Sequence, residues 1–219
     1  MERNMNFRRL FLWTTALLLL LSFGGADADS DFTGFIGSLK ADQTIPEEAA
    51  GTVTSFGDYT EDLALIRTGT GVPLLQGDDF VFSADIDYSS GSRTPDISNA
   101  GCGLYFSSRE DTYNYLMVTA RMDGMIHLSG SNYGKYLSFK KYSYAAPNVE
   151  GSVNLSVIRN GDTVTVYLDG ENVLTSENMP SFGDLLGLAV LSGTNADFGT
   201  RCEFRNIRLY TWENAPADE

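Results

Sequence analysis

The chain has 219 residues, with 29 acidic and 15 basic side chains and a formal net charge of −14 at neutral pH. A surface this acidic repels phosphate backbones, so nucleic acid is not expected as a partner. The length fits one domain of ordinary size after any targeting segment is removed. The chain contains a single histidine, which excludes zinc sites built on histidine pairs.

The first element of the chain resembles a targeting segment. Three arginines lie within residues 1–9, the apolar run LFLWTTALLLLL follows over residues 10–21, and Ala26 and Ala28 have the spacing of a signal-peptidase site. This order is typical of a secretory signal peptide, and the apolar run is short for a membrane span. We predict a signal peptide over residues 1–28 and no transmembrane anchor after its cleavage; an uncleaved anchor is the alternative. The mature protein is then secreted, extracellular or in the cell envelope.

Beyond the signal peptide the sequence predicts strands, with at most one helical turn near Ile45–Gly51. Short β-branched or aromatic runs alternate with Gly, Asn and Asp, the pattern of an all-β protein. The predicted strands lie near 52–56, 62–67, 79–88, 101–108, 113–120, 124–130, 135–142, 151–159, 162–168, 171–175, 185–192 and 200–211. They predict an antiparallel two-sheet β-sandwich of the jelly-roll type, a single domain over residues 29–211 followed by a flexible acidic tail over residues 212–219.

Three dipeptides between alternating runs are strong hairpin signals: Asn160-Gly161, Asp169-Gly170 and Asp123-Gly124.

The chain has two cysteines, Cys102 and Cys202. An even count in an exported chain indicates a disulfide, and both cysteines share a strand face with apolar neighbours. A bridge that closes so long a loop stabilises by roughly 4–5 kcal/mol in the chain-entropy treatment. Two buried free thiols are the alternative.

Alternation is clearest between residues 102 and 129. One set of alternate residues is apolar and predicts a buried face: Cys102, Leu104, Phe106, Leu116, Val118, Ala120, Ile126 and Leu128. The other set is expected to face water, yet it is rich in Tyr and Met and contains the single histidine. If inward residues pair with inward residues across the hairpins, Tyr105 lies opposite Tyr115 and Met117 lies opposite His127.

Six successive segments carry a family resemblance: FVFSADIDY, AGCGLYFSSREDTYNYLMV, GMIHL, VNLSVIRNGDTVTVYLDGENVL, LLGLAVLSG and CEFRNIRLY. Over about residues 79–211 this order resembles the concanavalin A-like lectin/glucanase superfamily, and more narrowly its laminin G-like and keto-disaccharide hydrolase-type domains. The resemblance implies a β-sandwich whose outward Tyr-rich face is the concave one. It also implies a sugar-binding module, a glycosidase or an adhesive domain.

The leading interpretation is a secreted, non-catalytic, lectin-like protein that binds a carbohydrate or cell-surface glycan. Aromatic rings stack on sugar rings, and a few placed polar groups hydrogen-bond sugar hydroxyls. Met125 is expected on the same face, and Arg121 is expected near it, where its guanidinium could hydrogen-bond sugar hydroxyls. The candidate ligand-binding residues are Tyr105, Arg109, Tyr113, Tyr115, Met117, His127, Tyr133 and Tyr136.

Several alternatives stay open. The tyrosines could be sheet packing, and the segment over residues 131–148 could fold over the face and bury it. The resemblance also allows a glycoside or keto-disaccharide hydrolase, which needs two carboxylates beside the scissile bond. Asp85 and Asp87 are the nearest candidates, and a solvated strand face is the simpler explanation for them. An extracellular domain that binds a protein partner is the third interpretation.

No cofactor is expected. Calcium is left open, with Asp197 as one candidate ligand.

Overall fold

A computed structural model of the protein describes residues 24–63, 67–70, 79–107, 114–180, 183, 185–193 and 199–212. For residues 24–29, 63 and 67–70 the description covers the backbone alone. The chain separates into two compact units, the first ending at Glu47 and the second beginning at Glu48. The described elements are α1 (Gly24–Ala41), β1 (Gly51–Ser55), β2 (Tyr59–Leu63), β3 (Arg67–Thr70), β4 (Asp79–Ser90), β5 (Gly101–Ser107), β6 (Tyr115–Arg121), β7 (Met125–Asn132), β8 (Lys135–Ser143), β9 (Glu150–Asn160), β10 (Thr163–Leu168), β11 (Glu171–Ser176), β12 (Leu185–Ser192) and β13 (Thr200–Trp212).

The strands of the second unit form two antiparallel sheets. The seven-stranded sheet has the order β1-β13-β4-β9-β10-β11, and β2 also pairs with β13. The six-stranded sheet has the order β3-β12-β5-β6-β7-β8. The predicted all-β two-sheet sandwich is therefore confirmed. Most predicted strands match observed ones to within a few residues.

The strand predicted over residues 62–67 is wrong. In its place β2 pairs with β13 in one sheet and β3 pairs with β12 in the other. The same local alternation is expected from one longer strand and from two short strands in different sheets. Alternation alone therefore could not distinguish the two arrangements. At the other end of the chain, β13 extends one residue into the predicted tail, to Trp212, which is 5% exposed.

The absence of a helix after residue 28 was also wrongly predicted, because α1 extends to Ala41. Phe32, Ile36 and Leu39 follow the spacing of one helix face and are buried. Glycines at 34 and 37 lower the helix propensity, which hid this short apolar periodicity. The turn at residues 47–48 is not helical.

The end of α1 is closed by its backbone. The amide of Thr44 donates to the carbonyl of Leu39 (2.9 Å), and that of Gln43 donates to the carbonyl of Lys40 (3.0 Å). These bonds and the positive φ of 56° at Gln43 define a Schellman end in which glutamine replaces the usual glycine.

All three predicted hairpins are present. Asp169 and Gly170 form a two-residue turn, and both have positive φ, as a type I′ turn requires. The turn between β9 and β10 is one residue later than predicted, because Asn160 pairs with Thr163. A further two-residue hairpin, at Tyr133 and Gly134, was not predicted; both have positive φ.

The core lies between the two sheets and is formed by their inward side chains. On β9 and β10 these are Val153, Leu155, Val157, Val164, Val166 and Leu168, as the sequence predicts. The disulfide between Cys102 on β5 and Cys202 on β13 is also confirmed, and both residues are fully buried. It covalently joins the two sheets across the core.

Candidate functional site

The candidate site is the outer face of the six-stranded sheet, which is the face turned away from the core. Along β5, Leu104 and Phe106 belong to the core, so Tyr105 and Ser107 point to the opposite side. The alternation predicted for residues 102–129 is thus confirmed. The outer face is defined here by Tyr105, Ser107, Tyr115, Met117, Thr119, Arg121, His127, Ser129, Ser131, Ala189 and Leu191.

The cross-strand pairs on the outer face differ from the predicted ones. Tyr105 lies opposite Met117, and His127 lies opposite Thr119. The register is shifted by an even number of residues, so every side chain keeps its predicted face but has a different partner. Tyr105 and Tyr115 still meet as diagonal neighbours, with ring centroids 5.5 Å apart.

The outer face was expected to be exposed, and this expectation is wrong. Tyr105 is 7%, Met117 3% and His127 4% exposed, while Tyr115 is half-buried. Tyr105 and Met117 pack in a small apolar cluster with Ala189 and Leu191 from β12. Burial, with smaller effects from Tyr105 and Tyr136, raises the pKa of Tyr115.

His127 is buried without a hydrogen bond at either ring nitrogen. The carboxylate of Asp123 is close, but its Oδ2 lies 3.9 Å from His127 Nε2, beyond hydrogen-bond distance. Burial, followed by the positive charges of Arg121 and Lys141, lowers the pKa of His127 to about 4. The imidazole is therefore neutral at neutral pH and offers one donor and one acceptor.

Two serines add to the unpaired polar groups on this face. The hydroxyls of Ser107 and Ser129 are buried and have no hydrogen-bond partner. An unpaired buried polar group costs about 1–3 kcal/mol, so such groups are uncommon in proteins. Neither serine was predicted as a ligand-binding residue, although alternation places both in the outward set.

The side chain of Arg121 forms hydrogen bonds within the protein. It is 6% exposed, and its Nη1 donates to the carbonyl of Ser98 (2.6 Å) while Nε donates to Thr119 Oγ1 (3.3 Å). Arg121 therefore anchors the loop before β5 and places a fixed positive charge beside His127.

The remaining predicted site residues lie at the margin of this face or outside the described residues. Tyr133 occupies the exposed tip of the β7–β8 hairpin, and Tyr136 lies on β8 opposite Ser131. They are 82% and 53% exposed. Arg109 and Tyr113 lie outside the described residues. Residues 135–143 do not fold over the face as one alternative supposed, since they form β8 and extend the sheet.

Asp85 and Asp87 lie on the seven-stranded sheet, away from His127. The carboxylate of Asp85 accepts hydrogen bonds from the side-chain amides of Asn154 (2.7 Å) and Asn206 (2.6 Å). Asp87 forms an ion pair with Arg205. Both carboxylates therefore belong to a network of strand-to-strand bonds.

Over the part of the chain that the structure describes, no cluster of His, Cys, Asp or Glu could hold a metal ion. The calcium candidate Asp197 falls outside that part. None of the described helices could cross a membrane.

Comparison with known proteins identifies the fold. No protein-family model and no curated protein matches the chain. The chain is similar to a carbohydrate-binding module of Bacillus subtilis, CBM66, with a TM-score of 0.52 and 18% identity over 71% of this chain and 94% of that one.

Two further solved structures are less similar. A galectin from Caenorhabditis elegans has a TM-score of 0.41 and 13% identity over 72% of this chain and 96% of its own. A β-glucanase from Bacillus licheniformis has a TM-score of 0.42 and 11% identity over 63% of this chain and 67% of its own. At 18% identity the likeness to the carbohydrate-binding module concerns the fold alone, and it agrees with the β-sandwich that the sequence resemblance implied.

Proposed function

We propose that the protein is secreted and binds a carbohydrate without catalysis, through the outer face of the six-stranded sheet. The observation that carries this proposal is a set of four buried polar atoms on this face, in Ser107, His127 and Ser129, that have no hydrogen-bond partner among the described residues. Because buried polar groups are nearly always paired, this face has hydrogen-bonding capacity that the described part of the chain does not use.

A sugar supplies the partners that these atoms lack. Each sugar hydroxyl both donates and accepts, as do the serine hydroxyls, and the neutral imidazole of His127 offers one of each. The paired rings of Tyr105 and Tyr115 add apolar surface on which the C–H face of a sugar ring can stack. An apolar wall with a few placed polar groups is the usual composition of a small-molecule site.

Binding has to include an opening step. The four polar atoms are buried, so a ligand reaches them only after neighbouring side chains move. Tyr115 is half-buried and less enclosed than Tyr105 or Met117, so we expect it to move first. Association is then slower than for a preformed site.

Three further observations support the proposal. A carbohydrate-binding module has a similar fold, although one fold hosts many functions. A non-catalytic role is favoured over hydrolysis because Asp85 and Asp87 are engaged by Asn154, Asn206 and Arg205 and lie on the other sheet. The disulfide is typical of proteins that leave the reducing cytoplasm.

A glycan array with matched tyrosine variants tests the proposal. Tyr105 on the six-stranded sheet and Tyr167 on the seven-stranded sheet are 7% and 8% exposed, so their replacement by alanine removes similar buried area. We expect Tyr105→Ala to lose glycan binding and Tyr167→Ala to keep it at comparable thermal stability. Equal binding by both variants, or no glycan bound by the wild-type protein, overturns the proposal.

The single histidine provides an independent measurement. In protein without a histidine tag, every imidazole NMR signal comes from His127. We expect these signals to shift when a bound glycan is added and to remain unchanged with a glycan that the array rejects. A bound glycan that leaves them unchanged places binding elsewhere.

A further inference from the structure

A basic edge borders the outer face of the six-stranded sheet. The chain contains four lysines, of which Lys135, Lys140 and Lys141 lie on β8, the last strand of this sheet. All three are exposed. In a chain with a net charge of −14, this strand is a local concentration of positive charge.

Sheet register connects this edge to the candidate site. Lys141 lies opposite His127, which in turn lies opposite Thr119. In a second row, Tyr136 on β8 lies opposite Ser131, which lies opposite Tyr115. One row thus ends in a lysine and the other in an exposed tyrosine, so a ligand that enters the outer face can continue onto β8.

The β8 lysines differ from the cations of the other sheet. Arg201 pairs with Asp62 and Glu203, and Arg205 pairs with Asp87. Among the described residues neither Lys135 nor Lys141 forms a salt bridge, whereas Lys140 donates to a backbone carbonyl on β11. By register Lys141 lies on the outer face, opposite His127, whereas Lys135 lies opposite Asn132 and therefore on the other face of the sheet. The positive charge of Lys141 at the edge of the site is not neutralised by the described carboxylates.

Exposed aromatic rings lie along the same edge. Tyr133, Tyr136 and Tyr142 are 82%, 53% and 39% exposed, and they are the exposed tyrosines of the described residues. By register Tyr136 lies on the outer face with Lys141, whereas Tyr142 lies opposite the core residue Ile126. The ring of Tyr136 gives a stacking surface for a sugar, and Lys141 supplies the charge that an anion requires.

We propose that the carbohydrate is acidic, a uronic acid-containing oligosaccharide whose ring enters the outer face and whose carboxylate is bound by Lys141 on β8. This inference rests on the proposed function and adds the chemical class of its ligand. An acidic sugar chain carries at most about one carboxylate per ring, so the single lysine beside His127 has one carboxylate to bind.

Charge density favours a glycan over nucleic acid. A DNA duplex carries one negative charge per roughly 1.7 Å of its axis, and its binding requires a broad basic surface. The basic edge is a single strand on a strongly acidic chain, and the acidic remainder repels such a polyanion at long range.

Calorimetry with a matched ligand pair tests the inference. The probes are a uronic acid oligosaccharide and the same oligosaccharide with its carboxyl groups reduced to alcohols. We expect the acidic form to bind at least about tenfold more tightly, the gain of one charge-assisted hydrogen bond. The variant Lys141→Gln should lose this preference. The control Lys135→Gln removes the same charge from the other face of the same strand and should keep it.

The outcomes separate this inference from the proposed function. Equal binding of both probes, or a preference that survives in Lys141→Gln, overturns the acidic class and leaves carbohydrate binding intact. If neither probe nor any array glycan binds, the proposed function itself fails. Tighter binding of single-stranded DNA or of anionic vesicles than of the acidic oligosaccharide overturns the choice of a glycan.

Discussion

The outer faces of the two sheets differ in whether their polar side chains are paired by hydrogen bonds. On the seven-stranded sheet, Ser156 donates to Ser83 (2.8 Å), and the two amides described above satisfy Asp85. On the six-stranded sheet, Ser107, His127 and Ser129 are buried without hydrogen-bond partners. On the seven-stranded sheet these polar groups are paired with one another. On the six-stranded sheet these buried polar groups have no partner among the described residues.

This difference distinguishes polar groups that stabilise the fold from polar groups that are available to a ligand. Each completed bond on the seven-stranded sheet stabilises the fold by about 1 kcal/mol, whereas each unpaired buried group opposes folding by about 1–3 kcal/mol. Proteins accept such local costs mainly at functional sites. The comparison therefore points to the six-stranded sheet as the binding surface, even though both faces contain tyrosines and serines.

The largest expected effect concerns the connection that both faces share. Replacing Cys102 and Cys202 by serine removes the bridge between the sheets, and we expect a loss of roughly 4–5 kcal/mol in the free energy of unfolding. Denaturant unfolding of the double variant measures it. A loss below about 1 kcal/mol would show that core packing alone holds the two faces in place.

The next effect is specific to the six-stranded sheet. The pKa of His127 is lowered from 6.5 to about 4 by burial and by the positive charges of Arg121 and Lys141. The unfolded state therefore binds more protons between these pH values, and stability falls as pH decreases from about 6.5 to 4, by up to about 3 kcal/mol.

Thermal melts of wild-type and His127→Gln protein across this pH range measure that contribution. The variant should lack this part of the acid destabilisation, whereas the carboxylates common to both proteins cancel in the difference. Parallel pH profiles for the two proteins would contradict a neutral, buried imidazole.

A glycine on β5 should show how closely the strands of the outer face approach each other. A Cβ atom at Gly103 would collide with the backbone carbonyl of Val118, which cannot move without displacing β6. We expect Gly103→Ala to lose about 3 kcal/mol of stability. Gly57→Ala is the control, because a Cβ atom there meets no atom within 4 Å. Equal stabilities for the two variants would argue against this close approach.

The smallest expected effect is on the stability of two serine variants, one on each outer face, and it tests most directly whether the polar groups of the two faces differ in pairing. Ser83→Ala leaves the buried hydroxyl of Ser156 without its acceptor and should cost about 1 kcal/mol. Ser129→Ala removes a hydroxyl that has no partner, so stability should be unchanged or raised. Chemical denaturation measures the free energy of unfolding of both variants. An equal loss in the two would mean that the two faces do not differ in the pairing of their hydroxyls.

The fold class and the facing of most strand residues could be predicted from the sequence. Period-two alternation is a local property, so it placed Tyr105 and His127 outward and both cysteines inward, and the count of two cysteines left one pairing for the disulfide. Asp-Gly and Asn-Gly dipeptides identified hairpins for the same reason. Helix α1 escaped detection because its glycines weakened a periodicity of only three buried residues.

Only the tertiary structure decided the register, the burial and the hydrogen bonding of the outer face. Alternation is unchanged by a shift of two residues, so it could not show that Tyr105 lies opposite Met117. It also could not show that the hydroxyl of Ser83 is paired and that of Ser129 is not. Pairing and burial depend on neighbours distant in the chain, and those neighbours become adjacent only when both sheets have formed.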